Sequence, residues 1–370
     1  MKDAAPQNAP APRPPAARAD PDAAWRGLDL EGPMRRALDL AERGRGHVEP
    51  NPMVGAVLLD DAGRIVAEGF HERFGGPHAE VAALADARRR GVDPRGMMMV
   101  VSLEPCSHHG KTPPCAQALV DAGVAAVVVA MEDPYKEVAG RGIARLREAG
   151  VAVSVGLREA QARRLNEAFI KRVTTGLPWV IVKWAQSLDG RTATASGHSQ
   201  WISNAASRAW VHELRGVVDV VAVGAGTALA DDPSLTARLP GGRTPARVAR
   251  RVVFDRRGRL PGTARLHTDG GPPVTVMPGP LEASLRQLAD EGVTNVLVEG
   301  GATLTGALLK QGLADRLLVF VAPKVVGDAA AVPAVRGLDC PTMDAARGLD
   351  LVDVQRLGGD VLLDYRVAGL

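Results

Sequence analysis

Short, wholly apolar runs alternate with longer stretches whose apolar residues return every three or four positions, and this alternation runs along the chain twice. In the first pass, GPMRRALDLAERGRG carries Met34, Leu38, Leu40 and Ala41 at helical spacing, the pattern of an amphipathic helix. MVGAVLLDD and RIVAEGF are short apolar runs joined across Asp60–Asp61–Ala62–Gly63, which predicts a β-hairpin. HAEVAALADARRRG then reads as a helix stopping at Gly91, MMMVVSLEP as a buried strand, and CAQALVDAGV as a helix. AAVVVAMEDP and VAVSVGL are strands on either side of the helix GRGIARLREAG, and REAQARRLNEAFIKRVTTG reads as one continuous closing helix. Gly176–Leu177–Pro178 is the expected hinge.

In the second pass, WVIVKWAQSLDG is a strand running into a polar loop, followed by the helix NAASRAWVHELRG and the strand VDVVAVGAG. ARVARRVVFD and PPVTVMPG are further strands, SLRQLADEG a helix, TNVLVEGG a strand and ATLTGALLKQG a helix. RLLVFVAPKVVG and VLLDYRV close the pattern. Strands alternating with helices predict two α/β domains with largely parallel sheets, the first behind an initial hairpin. The expected division is an Ala/Pro-rich disordered extension over 1–28, one domain over 29–175 and a second over 176–370.

A length of 370 residues agrees with two cores. Aromatics supply only 3% of the chain, so those cores are expected to be built from Val, Leu, Ala and Ile. The net charge of +3, carried more by Arg than by Lys, suits phosphate-bearing small molecules as well as nucleic acid and decides nothing alone. No apolar run approaches the roughly 18 residues of a membrane span. The N-terminal stretch lacks an apolar signal core and contains Asp3, Asp20 and Asp22, so a cytoplasmic protein is expected. The three cysteines cannot form a disulfide framework, and two of them sit close together.

That pair belongs to SLEPCSHHGKTPPC. His78–Ala79–Glu80 opens one predicted helix, Cys106 follows a buried strand through Pro105, and Cys115 opens the next helix. One imidazole and two thiolates, all placed at helix starts, would supply three tetrahedral zinc ligands and leave a position for water. Glu80 lies two residues beyond His78, so it points away from the ligand direction and can move protons at that water. H-x-E followed by P-C and a second Cys is the pattern of zinc nucleobase deaminases, usually with C-x-x-C spacing. Here eight residues separate the cysteines, so the intervening segment must loop out and return. The competing readings are a redox pair, buried structural thiols beside surface histidines, a nucleoside or tRNA deaminase fused to an unrelated domain, and a zinc-stabilised scaffold without catalysis. Cys340, in LDCP, is expected to be an uninvolved thiol.

NPMVGAVLL, HAEVAAL, LEPCSHHGKTPPC and VAGRG together resemble the deaminase domain of the bifunctional riboflavin-biosynthesis deaminase/reductases, a family in which the eight-residue spacing is normal. The resemblance implies a cytidine-deaminase-like α/β/α domain with Zn2+ on His78, Cys106 and Cys115 and Glu80 as proton shuttle. It implies substrate contacts at Asn51, His71, His108 and Lys111. Where many relatives carry DPNP or DPFP before VAGRG, this chain reads DPYK, with Tyr135 and Lys136.

The second half contains no G-x-G-x-x-G, but in TNVLVEGGATLTGALL a buried strand delivers Glu299 and Gly300–Gly301 open a helix where backbone N–H groups can approach a phosphate. KWAQSLDGRTATASGHSQWIS, GAGTALADDPSLTAR and VAPKVVG, with VEGG, resemble the same family's reductase domain, of dihydrofolate-reductase-like α/β fold. The resemblance implies NADPH contacts at Ala185, Trp201, Thr227, Asp231 and Gly301, and substrate contacts at Ser199, Arg215, Leu235, Arg238 and Glu299. Arg215 and Arg238 could clamp a ribose phosphate bidentately. Lys183 and Asp189 receive no role from the sequence. The implied function is deamination of 2,5-diamino-6-(5-phosphoribosylamino)pyrimidin-4(3H)-one followed by NADPH reduction of its ribosyl group to ribityl. The implied partner is that small phosphorylated pyrimidine, with no nucleic acid and no membrane, and with a homo-oligomer left open.

Overall fold

The computed structural model describes residues 27–107, 114–135 and 139–368. The expected N-terminal extension, 1–28, falls almost wholly outside the described residues.

In the first half α1 (Glu31–Glu42) precedes the hairpin β1 (Gly55–Leu59) and β2 (Ile65–Phe70). There follow α2 (Ala79–Arg89), β3 (Met98–Val101), α3 (Cys115–Ala122), β4 (Ala126–Val129), α4 (Arg141–Glu148) and β5 (Ala152–Val155). The sheet order is β2-β1-β3-β4-β5, antiparallel across the hairpin and from β1 to β3, and parallel from β3 to β5. Every residue of β1, β3 and β4 is buried, because helices cover both faces of these central strands, which therefore read as continuous apolar runs. The single closing helix expected over 158–176 is instead two, α5 (Glu159–Leu165) and α6 (Glu167–Thr175). The break falls at Asn166, whose buried side chain accepts from Met53 N at 2.8 Å and donates to Met53 O at 2.9 Å. That long-range pairing outweighs the helical periodicity on either side.

The second half contains β6 (Trp179–Ser187), β7 (Arg191–Ala193), α7 (Ala205–Arg215), β8 (Val220–Gly224) and α8 (Ala225–Asp231). It continues through β9 (Arg250–Phe254), α9 (Arg265–Thr268), β10 (Val274–Met277), α10 (Leu281–Asp290), β11 (Asn295–Val298) and α11 (Ala302–Lys310). The last elements are β12 (Arg316–Ala322), β13 (Val332–Pro333), β14 (Leu349–Leu357) and β15 (Asp360–Val367). An eight-stranded sheet runs β10-β9-β8-β11-β6-β12-β15-β14. It is parallel from β10 to β12 and antiparallel over its last two strands. The expected strands are present, and α8, α9, β14 and the small β7–β13 pair add to them. LDLVDVQRL of β14 lacks the solid apolar run that marks the other strands, because this edge strand is exposed over most of its length.

The chain leaves β6, moves outward to β8 and β9, and returns to β11 beside β6, so the strand order reverses near the sheet centre. Ligands of open parallel sheets bind beyond the carboxyl ends of strands at such a switch point. Among the described residues no helix is long and apolar enough to cross a membrane.

Candidate active sites

His78 is the N-cap of α2 and Cys115 the first residue of α3, as expected. Cys106 differs: it lies in irregular chain after β3 and starts no helix. A helix end serves it from outside, since the Cys115 N–H of α3 donates to Cys106 Sγ at 3.3 Å. His78 Nδ1 lies 3.5 Å from Cys106 Sγ and 3.3 Å from Cys115 Sγ. The three ligand atoms all fall within 4.8 Å of one another. Two sulfurs and one imidazole nitrogen so gathered are a donor set for a borderline-soft cation, and zinc fits it with one position left over. Hydrogen bonding from Cys115, and then from His78, holds the Cys106 thiol down to about 4. The Cys115 thiol is pushed up, first by its bond to Cys106 and then by burial. The site is therefore poised to give up one proton readily and a second when a cation arrives.

Glu80, in the first turn of α2, is buried at 3% exposure. Burial, and then the neighbouring Cys106 sulfur, push its carboxyl up to about 7. Cys106 and His78 both act on its ionisation through charge, so the carboxyl borders the donor set.

His71 is buried and stands edge-on to His78, with 5.4 Å between ring centres. Its Nδ1 is 2.9 Å from Pro77 O, an acceptor only, so that nitrogen carries the proton. Nε2 is left to accept from Asn51 Nδ2 at 3.3 Å. Burial lowers the His71 pKa and favours this neutral form. Asn51 is consequently oriented with its carbonyl oxygen available to a ligand. The expected contacts His108 and Lys111 lie outside the described residues, as does Lys136 of DPYK.

Glu104 of LEPC was missed in the sequence, where it reads as one more strand-end residue. It is buried, and its Oε2 accepts from Asp133 N at 3.1 Å and Gly140 N at 2.9 Å. Its Oε1 accepts from Gly142 N at 2.9 Å and Ile143 N at 3.2 Å. One carboxylate thus satisfies the open amides at the start of α4 and fixes the neighbouring loop against the strand that delivers Cys106. Gly142 makes the approach feasible, since a Cβ there would stand 1.9 Å from Pro105 O. Gly142→Ala is expected to cost more than about 2 kcal/mol by urea unfolding. Gly140→Ala, which meets nothing within 4 Å but sits at φ 74°, should cost only about 1–2 kcal/mol.

The second site is a cleft of about 1390 Å3 over the carboxyl ends of β6, β8, β9 and β11. Ala185, Ser199, Trp201, Arg215, Thr227, Asp231, Leu235, Arg238, Glu299 and Gly301, all ten residues expected for this half, line it. Gly301 is the N-cap of α11 and Gly224 that of α8, so two helix starts face the space. Arg256, Arg257, Arg259, Arg265 and Arg336 line it too and supply a cationic wall that the sequence reading passed over. These features suit a large, multiply anionic ligand such as a phosphorylated dinucleotide.

Glu299 anchors the cleft floor. Arg215 Nε and Nη2 meet its two oxygens at 2.6 and 3.0 Å, and Lys183 Nζ stands 3.5 Å away. Burial works against ionisation here, but Arg215 and then Lys183 outweigh it and hold Glu299 at about 2. Arg215 Nη1 also donates to Thr236 O at 3.0 Å. Its fork is therefore engaged within the protein, which leaves Arg238 as the more accessible of the two expected phosphate-clamping arginines. Lys183 gains a place in the cleft from this geometry. Asp189 does not: it accepts from Ser187 Oγ at 2.6 Å, Val326 N at 3.0 Å and Gly327 N at 2.8 Å, fastening two loops together. Trp201 is 63% exposed, with the Arg208 guanidinium 4.7 Å from its ring centre.

Two family models match the chain. The cytidine and deoxycytidylate deaminase zinc-binding region covers residues 29–131, and the RibD C-terminal domain covers residues 178–363. The riboflavin biosynthesis protein RibD of Escherichia coli K12 is 42% identical over 362 residues, spanning 89% of this chain and 97% of its own. That of Mycobacterium tuberculosis H37Rv is 42% identical over 335 residues, spanning 90% and 96%. Among solved structures, Acinetobacter baumannii RibD superposes with a TM-score of 0.83 at 39% identity, covering 92% of this chain and 99% of its own. A Thermotoga maritima diaminohydroxyphosphoribosylaminopyrimidine deaminase/5-amino-6-(5-phosphoribosylamino)uracil reductase gives a TM-score of 0.82 at 37% identity, with 92% and 99% covered.

Proposed function

The chain belongs to the RibD family of bifunctional riboflavin-biosynthesis enzymes, and from that premise we propose how its residues divide the work. It is a zinc-dependent deaminase joined to an NADPH-dependent reductase. One observation carries the joint assignment: a His–Cys–Cys donor set with a buried carboxyl beside it, and a cationic cleft with two helix starts, occur in one chain. The substrate we assign is 2,5-diamino-6-(5-phosphoribosylamino)pyrimidin-4(3H)-one, a phosphorylated pyrimidine. Free thiols at Cys106 and Cys115 accord with work in the reducing cytoplasm.

His78, Cys106 and Cys115 would hold the zinc, which when bound makes water acidic enough to be a nucleophile at neutral pH. Glu80 would take a proton from the attacking water and pass it to the adjacent ring nitrogen, then carry the remaining hydroxyl proton to the amino nitrogen, so that the water oxygen stays as the ring carbonyl and ammonia leaves. Asn51, oriented by neutral His71, presents its carbonyl oxygen to the pyrimidine's amino groups. His108 and Lys111 are assigned to substrate contact from the family resemblance, the lysine as a charge suited to the phosphate.

NADPH, when bound in the cleft, would supply the hydride that reduces C1′ of the ring-opened imine form, the nitrogen taking its proton from water. Ala185, Trp201, Thr227, Asp231 and Gly301 would hold the dinucleotide, the last with the amides that open α11. Ser199, Leu235, Arg238 and Glu299 would hold the sugar phosphate and pyrimidine, with Arg215 serving mainly to fix Glu299.

The deciding experiment supplies the diaminopyrimidine ribotide with NADPH and follows ammonia and the nicotinamide absorbance together. Ammonia should appear first and NADPH oxidation follow. Ammonia without any NADPH oxidation would sink the two-step assignment. Zinc chelation is expected to abolish ammonia release at least a hundredfold while the reduction of pre-deaminated substrate persists within about twofold.

A further inference from the structure

Arg247 precedes β9 in the reductase half, yet its guanidinium reaches into the deaminase half. Nε donates to Gly46 O at 3.2 Å, and Nη2 donates to Glu49 O at 3.1 Å and stands 3.4 Å from the Glu49 carboxylate. Nη1 is held at 2.5 Å by Asp219, which lies just before β8. Asp219 is buried and its other oxygen accepts from Thr294 N at 2.7 Å and Asn295 N at 3.2 Å, so the arginine is mounted on the reductase sheet itself. The turn is closed locally too: Gly46 N donates to Glu49 Oε1 at 3.0 Å, and Asn51 N to Val48 O at 2.9 Å.

The fit around this clamp is close. Gly46 has φ 79°, and a Cβ on it would meet Ala246 Cβ at 3.1 Å and Val217 Cα at 3.2 Å, both in the reductase half. Between the halves lies a small cavity of about 70 Å3, bordered by Asn51, Met53 and Asn166 on one side and Trp179, Leu214 and Val217 on the other. Two residues past Glu49, Asn51 meets His71, and His71 packs on the zinc-ligand candidate His78. On the far side, Met53 is pinned by Asn166. The segment 49–53 is therefore held at both ends by groups outside the deaminase sheet.

We propose that Arg247 is a positioning residue for the deaminase: the reductase half, through its guanidinium fork, sets the turn that presents Asn51 to the pyrimidine. The deaminase site is thus completed by the other half of the chain, although the two reactions use separate centres. This rests on the substrate-contact role assigned above to Asn51. Lysine at 247 would keep the charge facing Asp219 and lose the planar fork that spans two carbonyls.

The test uses the full chain. Arg247→Lys should raise the KM for ammonia release about tenfold, the size of one or two lost hydrogen bonds. The kcat should stay within about threefold, with zinc content unchanged and reduction of pre-deaminated substrate within about twofold. A double-mutant cycle with Asn51→Ala supplies the second measurement. If Arg247 acts through Asn51, Arg247→Lys should add less than about twofold in the Asn51→Ala background. An unchanged KM in Arg247→Lys alongside a clear effect of Asn51→Ala would overturn the proposal and leave the role of Asn51 standing. Multiplying effects in the double variant, or a parallel fall in zinc content and both activities, would equally overturn it. Asn51→Ala without effect would instead remove the substrate-contact role, and the proposal with it.

Discussion

Glu80→Gln is expected to slow ammonia release by about 10²–10⁴-fold, the range of a lost general acid–base group. Zinc should remain bound, because His78, Cys106 and Cys115 already gather within 4.8 Å without any help from the carboxyl. The fold should remain as well. Glu80 is 3% exposed and its burial already favours the neutral form, so an isosteric amide takes its place at little cost. What the amide cannot do is take a proton from water and hand it to an amine. Zinc content by elemental analysis, ammonia release, and NADPH oxidation on pre-deaminated substrate separate the alternatives. Retained ammonia release would make the centre a structural zinc site, and lost zinc would make Glu80 a ligand.

The second large effect is at Glu299. Arg215 and Lys183 are 13% and 18% exposed, and both face this one carboxylate. Glu299→Ala leaves two cations in a shielded cleft floor, and removing one partner of such a buried, hydrogen-bonded pair costs about 2–5 kcal/mol. If that loss falls on the reduction step, kcat/KM for NADPH oxidation drops about thirtyfold or more. Ammonia release should stay within about twofold, since Glu299 touches neither the zinc ligands nor the 46–51 turn. Glu299→Gln should recover part of the loss, because an amide can still accept from Arg215 although it no longer balances the charge. Steady-state kinetics of both half-reactions give the answer, and equal loss of the two would reassign Glu299 to general stability.

Much of this was legible in the sequence because the relevant signals are local. HAE and PC announce themselves by residue type at element starts, and the central strands by unbroken apolar runs that only two-sided burial explains. Glu299 and Gly301 were found the same way, on a strand-to-helix turn. What escaped was set by partners distant in sequence. The break at Asn166 is invisible until Met53 is placed beside it, 113 positions away. Cys106 was expected at a helix start, whereas its amide donor comes from the helix of the other cysteine. Glu104 and Arg247 each satisfy groups on separate segments, which no periodicity encodes. The strand β14 hid because it is an exposed edge and carries the mixed composition that exposure permits.

Asn166 also decides where this gene product can be divided. By position it belongs to the connection between the halves, but by bonding it belongs to the zinc half, where it closes the backbone of Met53. A cut at the end of α5 would strip that closure and leave an amide and a carbonyl unmatched in the interior. A cut at Gly176 would preserve it, while leaving the clamp from Arg247 and the ion pairs Lys171–Asp315 and Glu167–Arg366 to form between separate chains. A free-standing zinc half therefore has to run past this asparagine to keep its own interior closed.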